Sequence, residues 1–219
     1  MKLELISFKL CPFVQRAVIT LKKQGIDYDI TFINLMDPPE WFEELSPTGQ
    51  VPVLKVDDDV IFESNVIVEF LNEISGDKLH PNDPVIRAKN RSWMSYSSSM
   101  FDHLFSLITG DKETFVSAKG ALTQKLAKLE KIKSDHDYFN GDQFMMIDAA
   151  IAPFFMRVSW INEFTDNVLS LEDFPKIQKW SRTLLSDKDV MKSVEEGLDD
   201  VYYSNIEARG AHLSTLLVD

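Results

Sequence analysis

Cysteine is almost absent: Cys11 is the only one in 219 residues. An internal disulfide is impossible, a dithiol redox pair within one chain is excluded, and a structural zinc site built on cysteine is not expected. Four histidines, His80, His103, His136 and His212, are scattered without metal-ligand spacing, so no metal is expected. No apolar run approaches the ~20 residues that span a bilayer. No basic leader or long apolar segment follows Met1, which argues against a secretory signal and for a reducing, cytoplasmic setting. Positive charge is scarce, with 23 Lys and Arg against 35 Asp and Glu. The net charge of −12 opposes binding to nucleic acid or anionic membrane. Internal repeats, low-complexity segments, a Gly-rich phosphate loop and a G-x-S-x-G elbow are all missing.

What is present begins around that lone cysteine. Leu3, Leu5, Ile6 and Phe8 read as a short strand, and Pro12 as the first residue of a helix, where its missing N–H is no loss. Cys11 then takes the N-cap, facing free amides and the positive end of the helix dipole. A free thiol titrates near ~8.5, and a helix terminus contributes only ~0.3–1 kcal/mol, less than one pKa unit. The Phe13 and Val14 amides, with Arg16 one turn on, have to supply the rest if the thiolate is to form. Taken alone, Cys11 reads as a buried, inert residue; its place at a strand-to-helix turn favours chemistry.

From Leu3 to about Ser75 strand and helix patterns alternate. Gly25 sits where a C-cap glycine closes the first helix, and Tyr28 to Ile33 reads as the second strand. Trp41 to Leu45 is a short amphipathic piece. Val51 to Val56 and Val60 to Phe62 form a hairpin around Asp57, Asp58 and Asp59. Ser64 reads as the N-cap of a third helix striped with Val66, Ile67, Phe70, Leu71 and Ile74. This order is that of a thioredoxin-like module. Gly76 with the prolines and polar residues of 77–84 marks a linker, 77–84, between a domain of residues 1–76 and one of 85–219. Beyond it only helices are expected: Val85 to Ile108, Thr114 to Lys133, Ile147 to Trp160 with a kink or break at Pro153, one opened by Phe174 and Pro175, and a short one over Val190 to Val194. The tail after Asp200 receives no assignment.

Three local features meet at one site in such a module. Besides Cys11 they are Gln50-Val51-Pro52 and Glu63-Ser64. A cis bond before Pro52 would turn the Val51 N–H and C=O toward an extended peptide, although trans is the commoner form. The amides and hydroxyl at Ser64 suit a carboxylate, while Glu63 suits an ammonium. A plain helix cap accounts for Ser64 as well.

The segments Cys11-Pro12-Phe13-Val14-Gln15-Arg16-Ala17, Asn34-Leu35, Pro39-Glu40-Trp41-Phe42, Ser46 to Leu54 and Phe62-Glu63-Ser64 together resemble the cytosolic glutathione transferases, in particular their cysteine-type, omega-like members. The resemblance implies an α/β thioredoxin-like domain followed by an all-α helical domain. It implies glutathione as co-substrate across the domain edge, with its sulfur facing Cys11, its cysteinyl backbone on Val51 beside Phe13, Gln50 and Pro52, and its γ-glutamyl end on Glu63 and Ser64. Two departures stand out. Pro38 occupies the place of a lysine that often binds the glycyl carboxylate, and Met145 stands where the helix cap ending in Asp148 usually has a hydroxyl.

A single cysteine implies a glutathione-dependent thiol transferase or reductase acting on mixed disulfides, dehydroascorbate or glutathionyl adducts, with Cys11 regenerated by a second glutathione. A non-catalytic interaction protein, of the type of stringent starvation protein A, and a conventional conjugating transferase using Ser7 or Ser64 are the alternatives. Tyr96, Met100, Phe101 and His103 on the first long helix, with Trp160 and Phe164, are candidates for an acceptor pocket, and core packing accounts for most of them equally. By analogy the chain forms a homodimer through the third helix and the first long helix, near Phe70 and Arg91.

Overall fold

In a computed structural model, which describes residues 1–218, the first 62 residues build a four-stranded mixed sheet of order β2-β1-β3-β4. Strand β1 (Leu3–Ser7) is parallel to β2 (Asp29–Phe32) and antiparallel to β3 (Val53–Val56), which pairs antiparallel with β4 (Asp59–Phe62). Leu3, Leu5, Ile6, Val53 and Leu54 are buried, as central strands covered by helices require. Strand β3 begins at Val53, two residues after the expected start, because Pro52 has no N–H to give a ladder. Asp59 joins β4 opposite Val56, so the turn is Asp57-Asp58.

Helix α1 (Pro12–Gln24) has Cys11 at its N-cap and Pro12 at its first position, and Gly25 ends it in the left-handed region at φ 64°, which only glycine enters without strain. Helix α2 (Glu40–Leu45) buries Phe42. Helix α3 spans Ser64–Ile74 and packs on α1. Its N-cap is Glu63 rather than Ser64: Glu63 holds φ 72°, unusual for a non-glycine residue, and Ser64 is already helical with its hydroxyl oxygen turned to Arg16.

The segment between α3 and α4 is docked rather than free. Leu79 and His80 are buried, the Asn72 carboxamide accepts the Leu79 N–H, and the Leu79 carbonyl accepts the Met146 N–H. Helices α4 (Pro84–Thr109), α5 (Lys112–Ile132), α6 (Met146–Phe164), α7 (Pro175–Ser186), α8 (Lys188–Met191) and α9 (Leu198–Arg209) follow, then a 3-10 turn over His212–Leu216. Helix α8 lies a few residues earlier than its apolar residues predict because the Asp187 carboxylate caps it through the Asp189 and Val190 amides. Helix α6 is buried over most of its length and runs unbroken through Pro153. Enclosure by α1, α4 and α7 overrides the proline there. No helix among the described residues is long and apolar enough to cross a membrane.

Contacts between α1 and α6 join the two halves. The Arg157 guanidinium of α6 donates to the Gln15 side chain at 2.6 Å and to the Leu10 carbonyl at 3.0 Å. The helix start missing its hydroxyl is held by Asp148, whose carboxylate accepts the Phe139 N–H at 3.0 Å, the Met145 N–H at 2.8 Å and the Trp180 indole N–H at 2.7 Å. Burial pushes its acid up to about 6, while these three donors pull it down.

Candidate active site

The turn from β1 into α1 puts Cys11 at the seam between the halves. Of the depressions around it, one opens toward Ser7, Gln15 and Ser193, and two others share residues with each other. The first of these two is a groove lined by Phe13, Thr48, Gln50, Val51, Pro52, Glu63, Ser64, Asn65 and Ser98. The second is a cavity of about 670 Å³ that includes Cys11 itself and shares Phe13 and Gln50 with the groove. All the residues read from the sequence as a peptide-binding set therefore lie in the groove, and the cysteine stands where groove and cavity join.

The groove is polar and carries its own recognition groups. The Val51-Pro52 bond is cis. Val51 lies outside the sheet ladder, and among the described residues its N–H has no partner. At the other end the α3 amides at Ser64 and Asn65 are unpaired, as the first turn of any helix leaves them. Beneath them lies Arg16, fully buried and without a carboxylate partner among the described residues. It donates to the hydroxyl oxygen of Ser64 at 3.4 Å, the side-chain oxygen of Asn65 at 2.7 Å, the Ser98 hydroxyl at 3.1 Å and the Ala150 carbonyl at 3.1 Å. Burial brings its pKa down to about 10, so it remains charged at neutral pH. Because Ser64 accepts from Arg16, its own O–H is available to an anion in the groove. Glu63 is exposed at the same end and forms no ion pair among the described residues. No lysine or arginine lines this groove. Pro38 adds no charge where the family often has a lysine.

The cysteine differs from its sequence-based expectation in one respect. Burial pushes the Cys11 thiol up, outweighing the Val14 and Phe13 amides and the charges of Arg157 and Arg16, which pull it down. Its Sγ lies 3.8 Å from the Val51 carbonyl oxygen, an acceptor that suits a thiol rather than a thiolate. Burial is the reason: the thiol is enclosed, and the Arg16 fork, although it pulls the thiol down, is bonded to Ser64, Asn65, Ser98 and the Ala150 carbonyl.

The cavity is walled by Phe8, Leu10, Leu35, Phe101, Leu104 and Ile108, with Arg157, Tyr202, Asn205 and Arg209 among its polar members. The acceptor-pocket expectation needs correction here. Of the candidates on α4, only Phe101 lines the cavity, together with Asp102, Phe105 and Ser106. Met100 is fully buried in the helical core. Tyr96 turns to α5, where Lys125 covers its ring at 4.3 Å. His103 is off the cavity-facing stripe. Trp160 packs at a tilt on Tyr202 with centroids 5.4 Å apart, and Phe164 meets Tyr203 edge to face at 5.1 Å; neither lines the cavity. The helical period separates the faces: 98, 101 and 105 face the seam, whereas 96, 100 and 103 do not. Ser7, a candidate hydroxyl, is 1% exposed. Among the described residues no group of three or more His, Cys, Asp or Glu could hold a metal ion.

Two family descriptions match the sequence, the glutathione S-transferase N-terminal domain over residues 10–74 and its C-terminal domain over residues 86–188. Glutathione S-transferase omega-1 of Sus scrofa is 34% identical over 188 residues, covering 83% of this chain and 76% of that protein. The chain belongs to the omega-like glutathione S-transferases. The human glutathione S-transferase omega-2 is 30% identical over 216 residues, covering 93% of this chain and 86% of that one. The fold matches that of glutathione transferase Omega 3C from Trametes versicolor with a TM-score of 0.80 at 24% identity, over 90% of each chain. A thioredoxin-like domain followed by a helical domain is thus the family architecture, and the protein is a glutathione-dependent transferase.

Two features of this transferase's site escaped the sequence. Arg157 is, with Asp148, one of two charged residues between Met146 and Trp160, and a lone arginine in so apolar a helix is the signal that was available. Tyr202, Asn205 and Arg209 recur at helical spacing in the unassigned tail.

Proposed function

We propose that this transferase reduces mixed disulfides of glutathione, or other glutathionyl adducts and dehydroascorbate, with Cys11 as the only catalytic thiol. The observation that carries the proposal is the position of Cys11, alone in the chain and set between a polar groove and an apolar cavity. Glutathione is a short peptide with a charged γ-glutamyl end. Its cysteinyl backbone fits the open Val51 N–H and C=O, its carboxylate the α3 amides and Ser64, and its ammonium Glu63. A substrate N–H that takes the Val51 carbonyl competes with the Cys11 thiol for that acceptor and removes a contact favouring the protonated form.

In the first step the Cys11 thiolate attacks the glutathionyl sulfur of G–S–S–R. The disulfide breaks, Cys11–S–S–G forms, and R–S⁻ departs through the cavity to be protonated by water. In the second, a glutathione thiolate attacks the glutathionyl sulfur held on Cys11. Oxidised glutathione leaves and the Cys11 thiolate returns. No second cysteine is needed. Such chemistry belongs in a glutathione-rich cytoplasm. The missing lysine at Pro38 leaves the glycyl carboxylate without a cation from the groove, so glutathione affinity is expected to be modest. We further read the chain as a homodimer through α3 and α4, where Val66, Ile74, Val85 and Ile86 are exposed beside the Arg91–Glu69 ion pair.

Incubation with oxidised glutathione followed by intact mass measurement tests the covalent step. One glutathionyl group should add to the wild type, come off with reduced glutathione, and be absent from Cys11→Ala. No adduct on the wild type would contradict the mechanism and turn attention to conjugation or to protein partners.

A further inference from the structure

We propose that the cavity beside Cys11 takes acceptors whose far end is a carboxylate: an apolar or aromatic thiol, bound as its glutathione conjugate, with an anion at the end remote from sulfur. The assignment rests on the glutathione reading of the adjoining groove and extends it to the other half of the substrate.

The cavity is polar along α9, and Arg157 of α6, bonded to the Leu10 carbonyl beside Cys11, is a charged group close to the sulfur. Tyr202, Asn205 and Arg209 recur at three- and four-residue spacing, so one face of α9 supplies all three to the cavity. Tyr202 is 5% exposed, and its hydroxyl has no hydrogen-bond partner among the described residues. Burial pushes its phenol up, which keeps it a neutral donor at physiological pH. Arg157 is 2% exposed, and its partners are the Gln15 side-chain oxygen and the Pro153 and Leu10 carbonyls, all neutral. Its charge is not cancelled by any of them. Arg209 lies at the rim with its Nε–H on the Asn205 side-chain oxygen at 2.9 Å and its guanidinium 5.6 Å from the centre of the Phe105 ring. Asp102 is the one carboxylate on the lining, and it is exposed.

An unpartnered buried phenol and a buried guanidinium bonded only to neutral oxygens are an acceptor-poor environment. A wholly apolar ligand leaves the phenol unpaired, whereas a carboxylate on the α9 side accepts its O–H and pairs with Arg209 at the rim. A site built to donate hydrogen bonds discriminates against analogues that lack the acceptor.

The test uses two stable thioethers, S-benzylglutathione and S-(4-carboxybenzyl)glutathione, titrated calorimetrically into the full chain, so that no turnover is required. The carboxylated ligand should bind at least tenfold more tightly. Tyr202→Phe and Arg209→Gln should each lower that ratio at least threefold, read within each variant so that general loss of affinity cancels. A ratio of one or less in the wild type overturns the proposal, as does a high ratio that neither variant reduces. Failure of both ligands to bind overturns the glutathione reading as well, whereas equal binding overturns the carboxylate assignment alone.

Discussion

At the scale of single residues, the site rests on Cys11, Ser64 and Arg16. All three were visible in the sequence as types in a pattern; Ser64 lies inside α3 rather than at its cap, and Arg16 turns to partners no local spacing showed. Arg16 one turn after Cys11 reads as a partner for the thiolate, because helical spacing places it near the sulfur; the choice of Ser64, Asn65 and Ser98 instead depends on residues as many as 82 positions away. Burial dominates the titration of the thiol and outweighs the opposing charges of Arg157 and Arg16. A raised thiol pKa means less thiolate at neutral pH than in an unfolded chain. Alkylation of Cys11 by iodoacetamide should therefore rise with pH to a midpoint above that of an unstructured cysteine peptide run in parallel; a midpoint below it would contradict the burial argument. On the proposed binding of glutathione, Ser64→Ala removes one hydrogen bond to the γ-glutamyl carboxylate. Bonds to charged groups contribute ~1.5–3 kcal/mol, so the glutathione KM should rise roughly 10- to 100-fold with kcat largely kept. An unchanged KM would remove Ser64 from the site.

Among the elements, the N-terminal strands and helices were legible because their signals are local: Pro12 and Gly25 bracket α1, and the polar turn fixes the β3–β4 hairpin. Helix α9 was not legible, since its burial comes from distant partners such as Trp160 beneath Tyr202. The start of α6 departs from the usual cap chemistry, yet Asp148 alone holds three N–H donors. Asp148→Ala leaves the buried Trp180 N–H and two part-buried amides without an acceptor and should lower unfolding free energy by ~3–5 kcal/mol in denaturant titrations. A loss under ~1 kcal/mol would show that the donors find other partners. Glu69 ties α3 to α4 through Arg91 and to the connecting segment through His80. Burial pushes its acid up, but those two partners overcome it and hold it at about 2 against an ordinary 4.5. For a depressed carboxylate the stabilisation is present above the unfolded value and lost as pH falls through the folded one. Wild type should lose stability between pH 4.5 and 2 more steeply than Glu69→Gln, as followed by thermal melts.

For the molecule as a whole, two halves meeting at α1 and α6 create a seam that neither possesses alone, and Cys11 lies on it. Local motifs announced the groove because its residues cluster within short segments. The cavity was hidden because its walls come from the turn after β1, α1, α4, α6 and α9, and no short spacing records which face of a long helix turns toward a distant partner. The exposed apolar residues on α3 and α4 lead to an expected dimer, with Val66→Arg shifting sedimentation toward the monomer; a wild type that sediments as a monomer would remove that assembly. The central claim is that one cysteine carries the chemistry. Glutathione-dependent reduction of a small mixed disulfide by the wild type and by Cys11→Ala, with aryl-halide conjugation assayed beside it, tests it most directly. Reduction should vanish with Cys11 while conjugation is slow in the wild type; disulfide reduction that survives in Cys11→Ala would rule out a catalytic role for the thiol.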